Sequence, residues 1–77
     1  MDTYEFTIIV PELDDALIDA VAGKCPDSGI GTRAGTTFVD FDRPAQSLGS
    51  AVDSALDDLN GLGVRPIRVL IDVGQPA

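Results

Sequence analysis

Hydrophobic and polar residues alternate along residues 4–10, which is the pattern of a half-buried β-strand. The even-numbered residues from Tyr4 to Val10 are apolar or aromatic and fall on one face. Pro11 ends this strand, because proline has no N–H to donate to a ladder and suits the entry of a helix.

A second stretch, residues 36–43, carries the strongest strand signal in the chain. Five of its eight residues are β-branched or aromatic, and Gly35 and Pro44 bound it. Side chains of a strand alternate between the two faces of a sheet. We therefore expect one face to pack against helices through Thr37, Val39 and Phe41. The other face would present Phe38, Asp40 and Asp42.

Two helices are predicted by apolar residues that recur at spacings of three and four. The first spans residues 12–24, with Asp14 and Asp15 in its first turn, where carboxylates interact favourably with the helix dipole. The second spans about residues 48–60, with Ser47 as its N-cap. The first apolar stripe consists of Leu13, Ala16, Leu17, Ala20 and Val21. The second consists of Leu48, Val52, Ala55, Leu56 and Leu59.

Two further strands have weaker signals. Residues 30–33 form a short strand, and the turn Arg33-Ala34-Gly35 joins it to residues 36–43. Residues 64–73 form the last strand, and Pro66 favours an edge strand or one that begins just after it. The core-facing side of this strand would consist of Ile67, Val69, Ile71 and Val73.

The predicted order is strand, helix, strand, strand, helix, strand in a single domain over residues 1–77. With right-handed crossovers and a central hairpin, this order predicts an α+β, ferredoxin-like β-α-β-β-α-β fold. We expect a four-stranded antiparallel sheet with both helices on one face. Residues 4–10 and 36–43 would be the central strands, and the last strand would lie at an edge.

The sheet face away from the helices has a small apolar centre, formed by Ile9, Phe38 and Leu70, and a rim made mostly of carboxylates. Exposed patches of this kind often mark a protein contact. The same face suits a homodimer packed sheet to sheet. Single apolar residues on a surface also occur without any function.

Charge narrows the choice of partner. Thirteen Asp and Glu against five Lys and Arg give a net charge of −8. This charge disfavours direct binding to nucleic acid or anionic membranes and favours basic protein surfaces. Acidity alone also keeps a small protein soluble. No apolar run approaches the ~20 residues of a membrane span, and no signal segment opens the chain, so we expect a soluble cytoplasmic protein.

The chain offers little catalytic chemistry. It has no histidine, and its single Cys25 has neither a candidate base nor a disulfide partner. Residues 29–34 match G-x-G-x-x-A, but a helix precedes them and a strand follows, the reverse of a dinucleotide site. Asp40 and Asp42 lie about 7 Å apart along one strand face and could hold a divalent cation, although an acidic rim is the simpler interpretation. We expect a protein that is not an enzyme and takes no cofactor.

Several short segments resemble one bacterial family. Tyr4-Glu5-Phe6-Thr7 and Phe41-Asp42-Arg43, followed by Ala45, Ser47-Leu48, Ala51, Ser54-Ala55 and Asp58, resemble the pattern YEFTL … DFDR-A-SL--A--SAI-D … V-RV. That pattern is found in the N-terminal region of small antitoxin-like or regulatory proteins, where a helix-turn-helix segment usually follows. The resemblance covers nearly the whole chain and implies a shared fold. The DNA-binding segment would begin after residue 77, so DNA binding is not carried over.

In size, acidity and architecture the chain is also similar to small anti-CRISPR proteins that act on type I surveillance complexes. This likeness implies an inhibitor that imitates DNA, because clustered carboxylates can occupy a groove built for phosphates. The first hypothesis is therefore a non-enzymatic inhibitor of a basic nucleic-acid-binding surface, such as a type I CRISPR subunit in a bacterial host. Its acidic contact residues would be Asp14, Asp15, Asp19, Asp53, Asp57 and Asp58 on the helices and Asp40, Asp42 and Asp72 on the sheet.

The alternative is an antitoxin-like or regulatory interaction module. It would bind through the apolar sheet face of Ile9, Phe38 and Leu70, as a monomer with a separate partner or as a weak homodimer. Salt distinguishes the two hypotheses, because a phosphate mimic weakens steeply as salt rises and an apolar contact barely responds.

Overall fold

A computed structural model of the protein describes residues 2–71, in which six elements follow one another as strand, helix, strand, strand, helix, strand. They are β1 (Asp2–Val10), α1 (Asp15–Lys24), β2 (Ser28–Arg33), β3 (Thr36–Ala45), α2 (Leu48–Gly61) and β4 (Arg68–Leu70). The α+β class and the predicted element order are confirmed. The first residue and residues 72–77 lie outside the described part, and with them the predicted acidic contact Asp72 and the predicted core residue Val73.

The strands form one antiparallel sheet in the order β2-β3-β1-β4. The two long strands β1 and β3 are central and β4 lies at an edge, as the predicted order of elements required. Phe6 faces Phe41 across the central pair, and Ile8 faces Val39. Because all four side chains are buried on the same face, this pair of strands supplies the centre of the core.

Pro44 does not end β3, contrary to the prediction. The strand continues to Ala45, and Pro44 pairs in register with Thr3 of β1. The N–H of Asp42 donates to the carbonyl of Asp27, on the β2 side of the strand. Alternate residues of a strand direct their N–H groups to the same side, so position 44 also faces that side, where β2 has already ended. A proline is tolerated there because no ladder donor is needed.

The β2–β3 hairpin closes with a two-residue turn. Arg33 pairs with Thr36, and both turn residues have positive φ, 53° at Ala34 and 79° at Gly35. Two positive values identify the type I′ turn, whose twist matches that of the strands. The strand β2 begins at Ser28, two residues earlier than predicted.

Helix α1 begins later than predicted, at Asp15. Asp14 has extended backbone angles, and its side chain accepts a hydrogen bond from the Leu17 N–H at 2.8 Å. Asp14 is therefore the N-cap, and the preceding residues stay outside the helix because the capped position fixes its first turn. The helix runs to Lys24, so its predicted end is confirmed.

Helix α2 begins after its predicted N-cap. The Ser47 hydroxyl accepts a hydrogen bond from the Ser50 N–H at 3.1 Å. The helix ends at Gly61, and Gly63, with φ of 84°, turns the chain back toward the sheet.

Both helices pack on the same face of the sheet and share one core. Val21 comes from α1, and Ala51, Ala55 and Leu59 come from α2. Ala16, predicted to face the core, is exposed because the later start of α1 leaves it in the first turn, away from the sheet. Neither helix in residues 2–71 is long and apolar enough to cross a membrane.

Within residues 2–71 the last strand is shorter than predicted, and it begins after Pro66, as one of the two predicted alternatives had it. In this part of the chain only Arg68–Leu70 pair with β1, and the Ile67 N–H donates to the Ile9 carbonyl just before the strand begins. Val69 is half-buried, but Ile67 is 64% exposed and Ile71 is 40% exposed. The predicted core face of this strand is therefore wrong at both isoleucines, because regular alternation holds only within the three paired residues.

Candidate interaction surfaces

The solvent side of the helices carries exposed carboxylates in two matched pairs. Asp15 and Asp19 lie one turn apart on α1, and Asp53 and Asp57 lie one turn apart on α2. Four residues of helix rise about 6 Å, so each pair projects two like charges at that spacing. Such pairs repel slightly, which makes them a small cost to folding. We call these four residues the helix-layer acidic surface.

Two other predicted acidic contacts differ from these four. The Asp14 side chain is exposed but is engaged in capping α1. Asp58 is only partly exposed, at 28% of its side chain, and its Oδ2 lies 3.1 Å from Nη1 of Arg43. Asp58 therefore points toward the sheet and not to the outer face of α2.

Arg43 lies on the helix-facing side of β3 and connects three separate segments. Its Nε and Nη2 donate to the two carboxylate oxygens of Asp27 at 2.8 and 3.1 Å, which is a two-pronged contact. Its Nη1 donates to the Ser54 hydroxyl at 3.1 Å and approaches Asp58. Asp27 belongs to the turn before β2, and Ser54 and Asp58 belong to α2. We call Arg43, Asp27, Asp58 and Ser54 the Arg43 cluster.

The position of Arg43 against the core strengthens these contacts. Only 12% of its side chain is exposed, and its guanidinium carbon lies 5.1 Å from the centre of the Phe41 ring. Phe41 in turn stacks on Phe6, with ring centres 5.2 Å apart. The hydrogen bonds between Arg43 and Asp27 raise the pKa of the Arg43 guanidinium and lower the pKa of the Asp27 carboxyl. The ion pair is thus charged at neutral pH.

Cys25 borders the Arg43 cluster. Its side chain is fully buried, and its Sγ lies 3.7 Å from the Asp58 carboxylate, to which the thiol donates. Burial raises the pKa of this thiol, so the nucleophilic thiolate is disfavoured. The Arg43 cluster therefore links the turn before β2, the strand β3 and the helix α2, with the buried Cys25 at its border.

On the opposite face of the sheet, paired residues of the four strands form rows that run across the strands. One row crosses the sheet as Arg68, Ile9, Phe38 and Gly31, and the next as Leu70, Thr7, Asp40 and Gly29. Arg33 lies beyond the first row at the hairpin end, and Asp42 lies beyond the second. The predicted apolar centre of Ile9, Phe38 and Leu70 is therefore brought together. We call this surface the open face.

Two contacts shape the open face. The Phe38 ring covers Gly31, since a Cβ added at Gly31 would lie 2.5 Å from Cζ of Phe38. On the other side of the ring, the Thr7 hydroxyl donates to the Asp40 carboxylate. Arg33, Phe38, Asp40 and Leu70 help to line a depression of about 370 Å³. An arginine and an aspartate thus flank one aromatic ring, and sequence reasoning had not placed Arg33 on this face.

The part of the chain that the structure describes contains no cluster of side chains arranged to bind a metal ion. No group of three or more His, Cys, Asp or Glu side chains is placed there to hold an ion. Asp40, one of the two carboxylates that could hold a cation, accepts a hydrogen bond from the Thr7 hydroxyl.

Comparison of the chain with protein-family models, with curated proteins and with solved structures found no match.

Proposed function

We propose that the protein is a non-enzymatic acidic inhibitor that binds a basic nucleic-acid-binding surface of another protein. The helix-layer acidic surface is the contact. The observation that carries this proposal is the uncompensated charge of that surface. Within residues 2–71, both ion pairs are made by Arg43, and neither involves Asp15, Asp19, Asp53 or Asp57.

The spacing of these carboxylates suits a groove that binds phosphates. Each pair spans about 6 Å along its helix. Phosphates of one DNA strand follow every ~3.4 Å along the duplex axis, so one pair covers about two phosphate intervals. A groove rich in lysine and arginine would gain from these charges the attraction that it gains from DNA, and its association with the inhibitor would be fast at low salt.

A type I CRISPR surveillance complex is the first partner to test, because the size, acidity and architecture of the chain are similar to those of small anti-CRISPR proteins. The experiment measures binding of the purified complex to labelled target DNA while the inhibitor is titrated. We expect competition that weakens steeply as salt rises. Normal DNA binding in excess inhibitor would refute this choice of partner.

Two variants with equal changes in charge test whether the helices or the sheet contact the partner. The first replaces Asp15, Asp19, Asp53 and Asp57 with asparagine. The second removes the same number of charges from the sheet, through Asp2→Asn, Glu5→Gln, Asp40→Asn and Asp42→Asn. If the helices make the contact, only the first variant loses inhibition, and equal losses would contradict that assignment. A gel-shift with DNA alone serves as a control, because the inhibitor should not bind DNA itself.

We further propose that the fold is ferredoxin-like. The strand order β2-β3-β1-β4 and the shared core of both helices support this proposal. A second candidate function is an antitoxin-like or regulatory interaction module that binds through the open face. Leu70, which is 45% exposed beside the half-buried Phe38 and Ile9, favours this candidate.

A further inference from the structure

We propose that two copies of this chain pair through their open faces, around a two-fold axis that passes over Phe38 and runs across the strands. In this arrangement Arg33 of each copy faces Asp40 of the other, which gives two equivalent ion pairs. The inference rests on the second candidate function, and it is independent of the helix-layer acidic surface, which lies on the other side of the molecule.

Opposite charges flank Phe38 on the open face. Asp40 lies two residues from Phe38 along β3 in one direction. Arg33 lies at the opposite end, where it pairs with Thr36. The open face is therefore basic on one side of the ring and acidic on the other, and a surface of this kind is complementary to a reversed copy of itself.

These charges also determine the direction of the two-fold axis. Rotation about an axis across the strands keeps each strand over its own copy and exchanges the two ends. Asp40 then lies over Thr36 of the second copy. Arg33 of that copy lies beside this Thr36 on the neighbouring strand, and the two strands are about 4.8 Å apart. Rotation about an axis along β3 would instead place Asp40 over Asp40. The charges therefore favour the axis across the strands.

The Phe38 ring of each copy lies at the two-fold axis. Because the tip of the Phe38 ring lies over Gly31, the ring extends from β3 across to β2. Two such rings related by the axis can pack in an offset stack, flanked by Ile9 of each copy. Arg68, in the same row, would approach Arg68 of the second copy at the rim and oppose association there.

The area of overlap indicates a weak dimer. Four strands are about 19 Å wide, and five residues of strand are about 17 Å long, so each copy contributes about 320 Å². Stable interfaces bury about 800 Å² per partner, so we expect a dissociation constant between roughly 0.1 and 1 mM. The net charge of −8 opposes self-association, so added salt should strengthen the dimer.

Charge-swapped variants test the arrangement. Arg33→Glu alone places two acids opposite each other in each pair, and Asp40→Arg alone places two arginines opposite each other. An equimolar mixture of the two variants restores both pairs, because each position 33 then meets a position 40 of opposite charge on the unlike copy. Sedimentation equilibrium and NMR diffusion at chain concentrations up to about 1 mM should show dimers for the wild type and the mixture and monomers for each variant alone.

Two control variants match the changes in net charge. Lys24→Glu and Asp19→Arg alter the charge equally but lie on the helix side, so they should leave pairing intact. Circular dichroism checks that each variant is folded. A second test uses Arg68→Gln, which should tighten pairing severalfold by removing the repulsion at the rim. A wild type that stays monomeric up to about 1 mM overturns the inference. A dimer split by Phe38→Asp but not restored in the charge-swapped mixture overturns the axis and leaves the second candidate function standing.

Discussion

Replacement of Arg43 by methionine is the sharpest test of how this small fold is held together. Methionine preserves most of the volume of the arginine stem and removes the guanidinium. Its loss leaves Asp27 and Asp58 without their cation, at 23% and 28% side-chain exposure, and leaves the Ser54 hydroxyl without its donor. The contact with the Phe41 ring is lost as well.

The expected loss of stability follows from the burial of these groups. Removing one partner of a fully buried pair costs about 3–5 kcal/mol, and removing one of a surface pair costs about 0–1 kcal/mol. Here the guanidinium is nearly buried and its partners are about one quarter exposed, so we expect a loss of about 2–3 kcal/mol. A domain of this size has a total unfolding free energy of about 4–11 kcal/mol, so the loss is a large fraction of it.

Urea unfolding followed by far-ultraviolet circular dichroism measures the effect, since the chain has no tryptophan. With a slope of about 1 kcal/mol per molar urea, the midpoint should fall by about 2–3 M. Arg43→Lys keeps the charge without the two-pronged contact and should lose about half as much. Arg65→Met, at an exposed arginine, should stay within about 0.5 kcal/mol of wild type. A loss below about 0.5 kcal/mol for Arg43→Met would refute the structural role of the cluster.

Three further predictions concern other positions. Ala34 and Gly35 both have positive φ, a conformation that glycine adopts without strain. Ala34→Gly should therefore stabilise the protein by about 0.5–1 kcal/mol, and Gly35→Ala should destabilise it. The urea midpoint measures both effects. Gly31→Ala should cost about 1–2 kcal/mol and weaken self-association in sedimentation runs, because the new Cβ displaces the Phe38 ring. The folded-state pKa of Asp27 is lowered, so its carboxylate stabilises the fold above about pH 4 and loses that effect as pH falls through the lowered value. In Asp27→Asn, the unfolding free energy should therefore fall less steeply with decreasing pH below about pH 4.

Each of these predictions has a contrary result. Equal stability of Ala34→Gly and wild type would show that the turn carries no strain. Undiminished pairing of Gly31→Ala would show that the position of the ring does not matter to the open face. An unchanged acid limb in Asp27→Asn would show that other carboxylates determine acid unfolding.

The central strands could be predicted from sequence because their alternation has one interpretation. Residues 4–10 place apolar or aromatic side chains at every second position, and residues 36–43 do so at Val39 and Phe41, so a shift of one residue would expose all of them. The helices could be predicted for the same reason, apart from the start of α1. That start depends on which of several acidic residues caps the helix, and a single hydrogen bond to Asp14 decides it.

The Arg43 cluster was missed although the sequence contained its signal. The alternation that places Val39 and Phe41 on the helix-facing side continues to Arg43, which predicts an arginine beneath the helices. Asp58 follows Ala55 by three residues, at the edge of the buried stripe of α2. The sequence could not supply Asp27, because this residue reaches the cluster only through the turn that joins α1 to β2.

The Arg43 cluster also determines how charge is divided between the two candidate surfaces. Of the five basic residues, Arg43 is used inside the fold, and Arg33 and Arg68 lie on the open face. Only Lys24 and Arg65 remain to offset the acids elsewhere, so the helix layer is acidic while the open face is mixed. An uncompensated surface attracts a basic partner and loses affinity as salt rises, whereas a mixed, partly apolar face pairs with its own copy and gains affinity as the net repulsion is screened. Opposite responses to salt are therefore expected from one small domain, because an internal arginine leaves the two sides with different balances of charge.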